Sequence, residues 1–222
     1  MKNNSRVGFL FEKTICQLYK IEYLGPLVAV IDFKITNVVT SFKNNFIILF
    51  KSHMGRGRSH VDFVLNTGQT VSVKTNQISL KQKSKNSYKL CPQKIGQCSR
   101  ATFDLVFSLI NILNDTSRKN YIIKNIHKIL KQYFWNLFCC DFLVYFYPNG
   151  KEYTYLILKK PTKYPFQKDI KLFLFTNNFI KNSTVVKYKD IAIGEFQFHK
   201  NRDCIKFRWF SKNLLFFLGY EM

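Results

Sequence analysis

Acidic side chains are scarce in this chain. Its 222 residues carry 13 Asp and Glu against 35 Lys and Arg, for a formal charge of +22. Only Glu12, Glu22, Glu152, Glu195 and Glu221 are glutamates. A codon bias that enriched lysine would have supplied glutamate as well, so the imbalance points to a positive field with a use, and a polyanion is the first partner to expect. Also missing is any apolar run near the ~18 to 20 residues that a membrane span requires. The stretches 46–50 and 214–220 are strand-sized. The opening MKNNSRVGFLFEKTICQLYK has no secretory apolar core, because Glu12 and Lys13 interrupt it. A soluble, cytoplasmic protein is therefore expected. The six cysteines, at 16, 91, 98, 139, 140 and 204, form no CxxC pair and no zinc spacing. They read as reduced thiols packed like small apolar residues, with Cys139 and Cys140 in the core.

Disorder is excluded by what is present: 46% of the residues are apolar and 17% aromatic, with 23 Phe and 12 Tyr. No repeat, heptad run or long linker divides the sequence, which predicts one domain over 1–222, with a catalytic core at 5–113 and a strand-rich part at 141–222. Ser5 can cap a helix reaching Tyr19 or Glu22, with Val7, Leu10, Phe11, Ile15 and Leu18 on one face and Gly25-Pro26 as its end. Residues 27–52 stay open between helix and strand, apart from FIILF at 46–50, which reads as a buried strand. A Gly55-Arg56-Gly57-Arg58 loop leads into HVDFVLN and TVSVKT, two alternating segments separated by Thr67-Gly68-Gln69, the clearest hairpin in the chain. The lysine-rich KQKSKNSYK at 81–89 precedes Pro92 and an amphipathic helix to about Leu113. A second helix is expected over roughly 118–138. From Asp141 the apolar period becomes two, with one hairpin around Pro148-Asn149-Gly150 and another in EFQFHKNRDCIKFRWF.

Side-chain parity places chemistry on the first hairpin. With Asn66 facing Thr70, Asp62 falls opposite Lys74 and Val64 opposite Ser72, four side chains on one face, while Val61, Phe63, Val71 and Val73 anchor the other. Alone, that pair would be a cross-strand ion pair. Its neighbours suggest more. Arg56 and Arg58 lead straight into the Asp62 strand on a glycine-rich backbone suited to a phosphate path. Glu12 lies on the first helix between Gly8 and Cys16 at i−4 and i+4, which leaves room for a ligand. Lys81, Lys83 and Lys85 follow the Lys74 strand as candidate phosphate contacts. His53 and His60 flank the glycine-rich loop, and His60 shares the parity of Asp62. Gln93 and Gln97, at helical i and i+4 spacing, can face the same cleft.

The last hairpin carries a second constellation. Alternation sets Glu195, Gln197 and His199 against Phe196 and Phe198, and Lys206 and Arg208 against Ile205, Phe207 and Trp209. With Asn201 and Arg202 in the connection, this is an exposed polar ribbon of a width that fits the major groove, where Gln reads adenine, Arg guanine and Glu cytosine.

A helical acid (Glu12 in GFLFEK), an acid at a strand (Asp62 in GRGRSHVDFVL) and Lys74 in the following SVKT resemble the PD-(D/E)XK nucleases, and more narrowly the type II restriction endonucleases. The resemblance covers roughly residues 5–110, and the chain's ending also looks like that of some of these enzymes. It implies an α+β fold with an α/β core: a mixed central sheet flanked by helices, followed by a β-rich C-terminal third. It further implies double-stranded DNA as substrate and Mg²⁺ as cofactor, with Asp62, Glu12 and the Val73 carbonyl as ligands and Lys74 acting on the attacking water. Ser72 stands where the family carries an acid two residues before the lysine, and Glu12 is the supplier in its place. A homodimer on palindromic DNA and a cognate DNA methyltransferase are the implied partners. The same core serves homing and repair nucleases, and Ser72 would also suit an inactive nucleic-acid-binding relative.

Overall fold

The computed structural model describes residues 4–28, 32–55, 60–76, 94–97, 115–198 and 205–220. In chain order these contain helices α1 (Asn4–Tyr19) and α2 (Phe33–Asn45), strands β1 (Phe50–His53), β2 (Phe63–Leu65), β3 (Thr70–Thr75) and β4 (Lys94–Gln97), and helices α3 (Asp115–Lys124) and α4 (Ile126–Leu137). Strands β5 (Phe142–Asn149), β6 (Glu152–Lys159), β7 (Phe173–Phe175), β8 (Ser183–Tyr188), β9 (Ile191–Gln197) and β10 (Lys206–Phe210) follow, and helix α5 (Ser211–Phe217) closes the series. The content is mixed α and β, as expected. No helix among the described residues is long and apolar enough to cross a membrane. The chain divides into two compact units, Met1–Cys91 with Phe138–Lys160, and Pro92–Leu137 with Pro161–Met222.

The first unit is built on a mixed sheet in the order β1-β2-β3-β5-β6, in which β3 and β5 run parallel and the other pairs antiparallel. Helices α1 and α2 cover one face of it. Phe11 of α1 stacks on Phe146 at 4.5 Å and meets Tyr153 edge-on, while Phe42 of α2 packs against Phe146 and Tyr155. Both phenylalanines are fully buried, and each removes enough apolar surface from water to contribute about 1.5 to 3 kcal/mol. Helix α1 stops at Tyr19, before Gly25-Pro26. Lys20 takes a left-handed φ of 56°, and Ile21 N–H returns to Cys16 O at 3.0 Å.

Residues 46–50 are not the expected buried strand. Phe46 caps α2, its N–H bonded to Phe42 O at 2.8 Å, and the strand begins only at Phe50. Ile47 and Leu49 are 91% and 56% exposed, so only alternate members of the run reach the core. The hairpin also differs in detail. Its registered pairs are Phe63 with Val71 and Val64 with Thr70, and Leu65 N–H donates to Gln69 O at 2.8 Å across Asn66–Gly68. Gly68 turns the chain with a φ of +83°, which a side chain would resist. The loop lies one residue earlier than expected, every partner therefore shifts by two, and Ser72 rather than Lys74 falls opposite Asp62. A shift of two preserves parity, so the same side chains share a face.

The second unit holds an antiparallel sheet in the order β4-β10-β9-β8-β7. Its core is aromatic: Trp209 packs edge-on against Phe207 at 4.7 Å and Phe134 at 6.2 Å, and Phe196 lies 4.6 Å from Phe207. The helix expected over 118–138 is two helices, α3 and α4, broken at Asn125, whose side-chain amide donates to Tyr121 O at 3.0 Å. Residues 94–97 are a strand, not part of a helix after Pro92, and Gln97 pairs with Phe207 of β10. Gln97 therefore lies on a strand and not at the helical position expected of it. The stretch expected to be strand-sized at 214–220 lies mostly in α5. The β5–β6 hairpin joins the first sheet, so the strand-rich part expected at 141–222 is shared between the units.

Candidate active site

Asp62 is pinned by its own backbone. Its N–H donates to Val71 O at 2.9 Å and its carbonyl accepts from Met54 N–H at 2.8 Å, which ties it to both neighbouring strands. Its carboxylate then continues the ladder where β2 has not yet begun. Asp62 Oδ2 accepts Val73 N–H at 2.6 Å and the Ser72 hydroxyl at 3.1 Å, and lies 3.8 Å from Lys74 Nζ. Lys74 Nζ in turn donates to Ser72 Oγ at 2.7 Å and to Val73 O at 3.3 Å. The serine hydroxyl thus links ammonium to carboxylate. Parity brought these three side chains together on the sequence, and the structure brings them together in space.

Glu12 enters from α1, with its Oε2 3.2 Å from His53 Nε2. Because His53 Nδ1 accepts the Leu24 N–H at 3.0 Å, that nitrogen carries no proton, and Nε2 is the donor to the carboxylate. The imidazole is fully buried, stacked on Tyr23 at 5.0 Å and tilted against Phe63 at 4.9 Å. Residue 55 is required to be small here, since a Cβ on Gly55 would fall 2.3 Å from the His53 ring. Burial pushes the Glu12 carboxyl above the ordinary carboxylate range; the His53 bond pulls it down, the charge of Asp62 raises it and that of Lys74 lowers it.

His53 is the residue that sequence reasoning left without a role. Strict alternation from an inward Phe50 would have turned His53 outward. A register shift between Phe50 and Ser52 reverses that parity and delivers the ring to the core.

The donor set suits a hard cation. Glu12 and Asp62 offer carboxylate oxygens whose mutual repulsion a divalent ion would relieve, and the Val73 carbonyl, turned to the same side as its N–H, offers a third oxygen. Among the described residues no cluster of three His, Cys, Asp or Glu forms a metal cage, so such an ion would complete its shell with water or substrate oxygens.

Cys139 and Cys140 stand just before β5, their sulfurs 3.8 Å apart. Cys140 is buried as expected and donates to His60 O at 3.5 Å, but Cys139 is exposed, contrary to expectation. The Cys139 thiol is drawn down to about 7, chiefly by its contact with the Cys140 sulfur and against the cost of partial burial, with the Lys74 charge adding to the fall and the Asp62 charge opposing it. His60 itself is half-buried.

In the second unit, β9 and β10 pair as the sequence predicts, Gln197 with Lys206 and Glu195 with Arg208. Glu195 is not exposed, however. It is buried, and its Oε1 accepts from Gln197 Nε2 at 2.7 Å and lies 3.6 Å from Arg208 Nη1. Three residues expected to read bases are bound to one another. Arg56, Arg58, Lys81, Lys83, Lys85, Gln93, His199, Asn201 and Arg202 lie outside the described residues.

No family model matches the chain, and no solved structure matches it. Over 219 residues, 94% of the chain, it is 32% identical to the type II restriction enzyme CviAII of Paramecium bursaria Chlorella virus 1, and it spans 59% of that protein's length. Nearly the whole sequence is thus similar to a type II restriction enzyme.

Proposed function

We propose that this chain is a metal-dependent endonuclease that hydrolyses phosphodiester bonds of double-stranded DNA at a specific sequence, with a site of PD-(D/E)XK type. The observation that carries the reading is the Asp62–Ser72–Lys74 chain of hydrogen bonds on adjoining strands, with the second carboxylate, Glu12, in electrostatic range. The charge of +22 and the similarity to a type II restriction enzyme support it.

Glu12, Asp62 and the Val73 carbonyl would hold Mg²⁺, which when bound polarises the scissile phosphate and activates water. Asp62 keeps its orientation through the Val73 N–H, and His53 does the same for Glu12. Lys74 orients or deprotonates the attacking water and faces the charge that grows on the phosphate. Ser72 supplies no charge, so its part is to align Lys74 with Asp62 while Glu12 provides the second carboxylate.

Arg56, Arg58, His60, Lys81, Lys83 and Lys85 would contact phosphates, and the β9–β10 ribbon would read bases through Gln197 and Arg208, with Glu195 as their brace. Lys206, His199, Asn201, Arg202, Gln93 and Gln97 fill out the DNA surface in this reading. A C2 dimer would match a palindromic site, and a methyltransferase of the same specificity would protect host DNA. Ser72 in an acid's place favours a second reading, a DNA-binding protein that has lost catalysis.

The test is incubation of the purified chain with mixed-sequence duplex DNA in Mg²⁺ or EDTA, followed by sequencing of the product ends. Ends sharing one short motif, formed only with Mg²⁺, support the endonuclease. DNA that is bound and never cut supports the second reading.

A further inference from the structure

We propose that Cys139 is a thiol-exchange site, open to small disulfides and backed by Cys140, and that a group attached there blocks DNA cleavage. The exchange stands on the geometry of the pair, and the blocking rests on the endonuclease reading above.

Cys139 is exposed, whereas Cys140, 3.8 Å away sulfur to sulfur, is buried and held by His60 O. The next residue, Asp141, is latched to the start of β3, its Oδ2 accepting Thr70 N–H at 2.7 Å and Thr70 Oγ1 at 2.9 Å. The thiols therefore sit at a fixed point just before β5, next to the start of β3, and the bond to His60 O sets Cys140 two residues along the chain from Asp62. Cys139 lies within electrostatic range of both Lys74 and Asp62. A polarisable neighbouring sulfur and a lysine cation favour a thiolate, and the Asp62 charge opposes it. Its acidity, drawn down to about 7, agrees with that placement.

The step balances without a further oxidant. The Cys139 thiolate attacks one sulfur of a disulfide RSSR, the new S–S bond forms at Cys139, and the RS–SR bond breaks. The leaving thiolate takes the electron pair and the proton that Cys139 released, giving the mixed disulfide and RSH. Closure to a Cys139–Cys140 disulfide is disfavoured. Adjacent Cα atoms stand about 3.8 Å apart across a trans peptide, short of the roughly 4.4 to 6.8 Å a relaxed disulfide spans. The product is accordingly a mixed disulfide, whose added group stands within electrostatic range of Lys74 and Asp62.

The full chain is treated with oxidised glutathione, the adduct is mapped by peptide mass, and cleavage is measured before and after dithiothreitol. One adduct is expected, on Cys139 and reversible. Its formation should slow about threefold in Lys74→Met and in Cys140→Ala, the gain in thiolate fraction being partly offset by lower nucleophilicity. The adduct should lower cleavage at least about tenfold, whereas Cys139→Ser should cleave normally and ignore the reagent. An adduct on other cysteines, or a Cys139 rate unchanged in both variants, overturns the exchange site. Full cleavage by the adduct overturns the blocking step. A chain that cleaves in no form overturns the endonuclease reading and the blocking step together, and the exchange site then stands or falls on the mapped adduct and its rates.

Discussion

At the scale of single residues, the site turns on which polar atoms are held by others. His53 Nε2 donates to Glu12 and His53 Nδ1 accepts from Leu24, so replacing the ring by an apolar one strands a buried carboxylate and a backbone N–H. His53→Leu should therefore cost about 1 to 3 kcal/mol of stability and most of the cleavage. His53→Gln, which keeps a donor, should recover part of both, as urea unfolding and cleavage rates would show. Equal loss in the two variants would mean that the ring matters for packing and not for holding Glu12. Glu12→Ala should raise the Mg²⁺ concentration needed for cleavage, since it removes a ligand and leaves Lys74 in place; an unchanged Mg²⁺ titration would take Glu12 out of the metal site. Asp62, Ser72 and Lys74 were legible in the sequence because parity survives an error of two residues in register. His53 was illegible because the irregularity at Lys51 flips parity, and nothing in the local residue types announces it.

At the scale of elements, the Asp141–Thr70 latch joins the hairpin strand β3 to β5, which follows it in the sheet only after a long excursion of the chain. The two Thr70 hydrogen bonds hold the Asp141 carboxyl below its usual value of 3.8. A carboxyl lowered by folding stabilises the protein above that value and ceases to do so as the pH falls through the lowered one. Asp141→Ala should thus cost about 1 kcal/mol at neutral pH, at the low end because the side chain is exposed. The gap from the parent should close in acid, as the pH falls through the lowered carboxyl value. Urea unfolding at both pH values measures this, and a gap that persists in acid would exclude the latch as its source. The elements themselves were legible where one periodicity ruled: α1, the β2–β3 hairpin, the β5–β6 hairpin and the β9–β10 pair. They were misread where an apolar run served two purposes. Phe46 caps a helix, Ile47 and Leu49 face solvent and Phe50 opens a strand, all within one apolar pentad.

At the scale of the whole molecule, charge and chain path matter most. In the proposed endonuclease a formal charge of +22 would supply affinity for any DNA, and base contacts would supply the choice among sequences. Neutralising Lys81, Lys83 or Lys85 should weaken binding alike on all duplexes and reduce the salt slope by roughly 0.9 for each lost phosphate contact. Gln197→Ala or Arg208→Ala should instead cost about 1 to 3 kcal/mol on the preferred site and little on scrambled DNA. Competition binding at several salt concentrations separates the two effects, and equal losses on both duplexes would make the ribbon a structural one. The charge excess and the mixed α and β content were legible in composition and periodicity. The division into two units was not, because the chain leaves the first sheet after β3 and returns to it at β5 with no linker composition to mark either passage. The central claim is that Asp62 and Lys74 perform the chemistry. Single-turnover cleavage of the preferred duplex by Asp62→Ala and Lys74→Ala, alongside circular dichroism and DNA binding, tests it most directly. The expected result is a loss of about a thousandfold or more in cleavage in each variant, with the fold and most of the DNA affinity retained. Near-normal cleavage by either variant would contradict it.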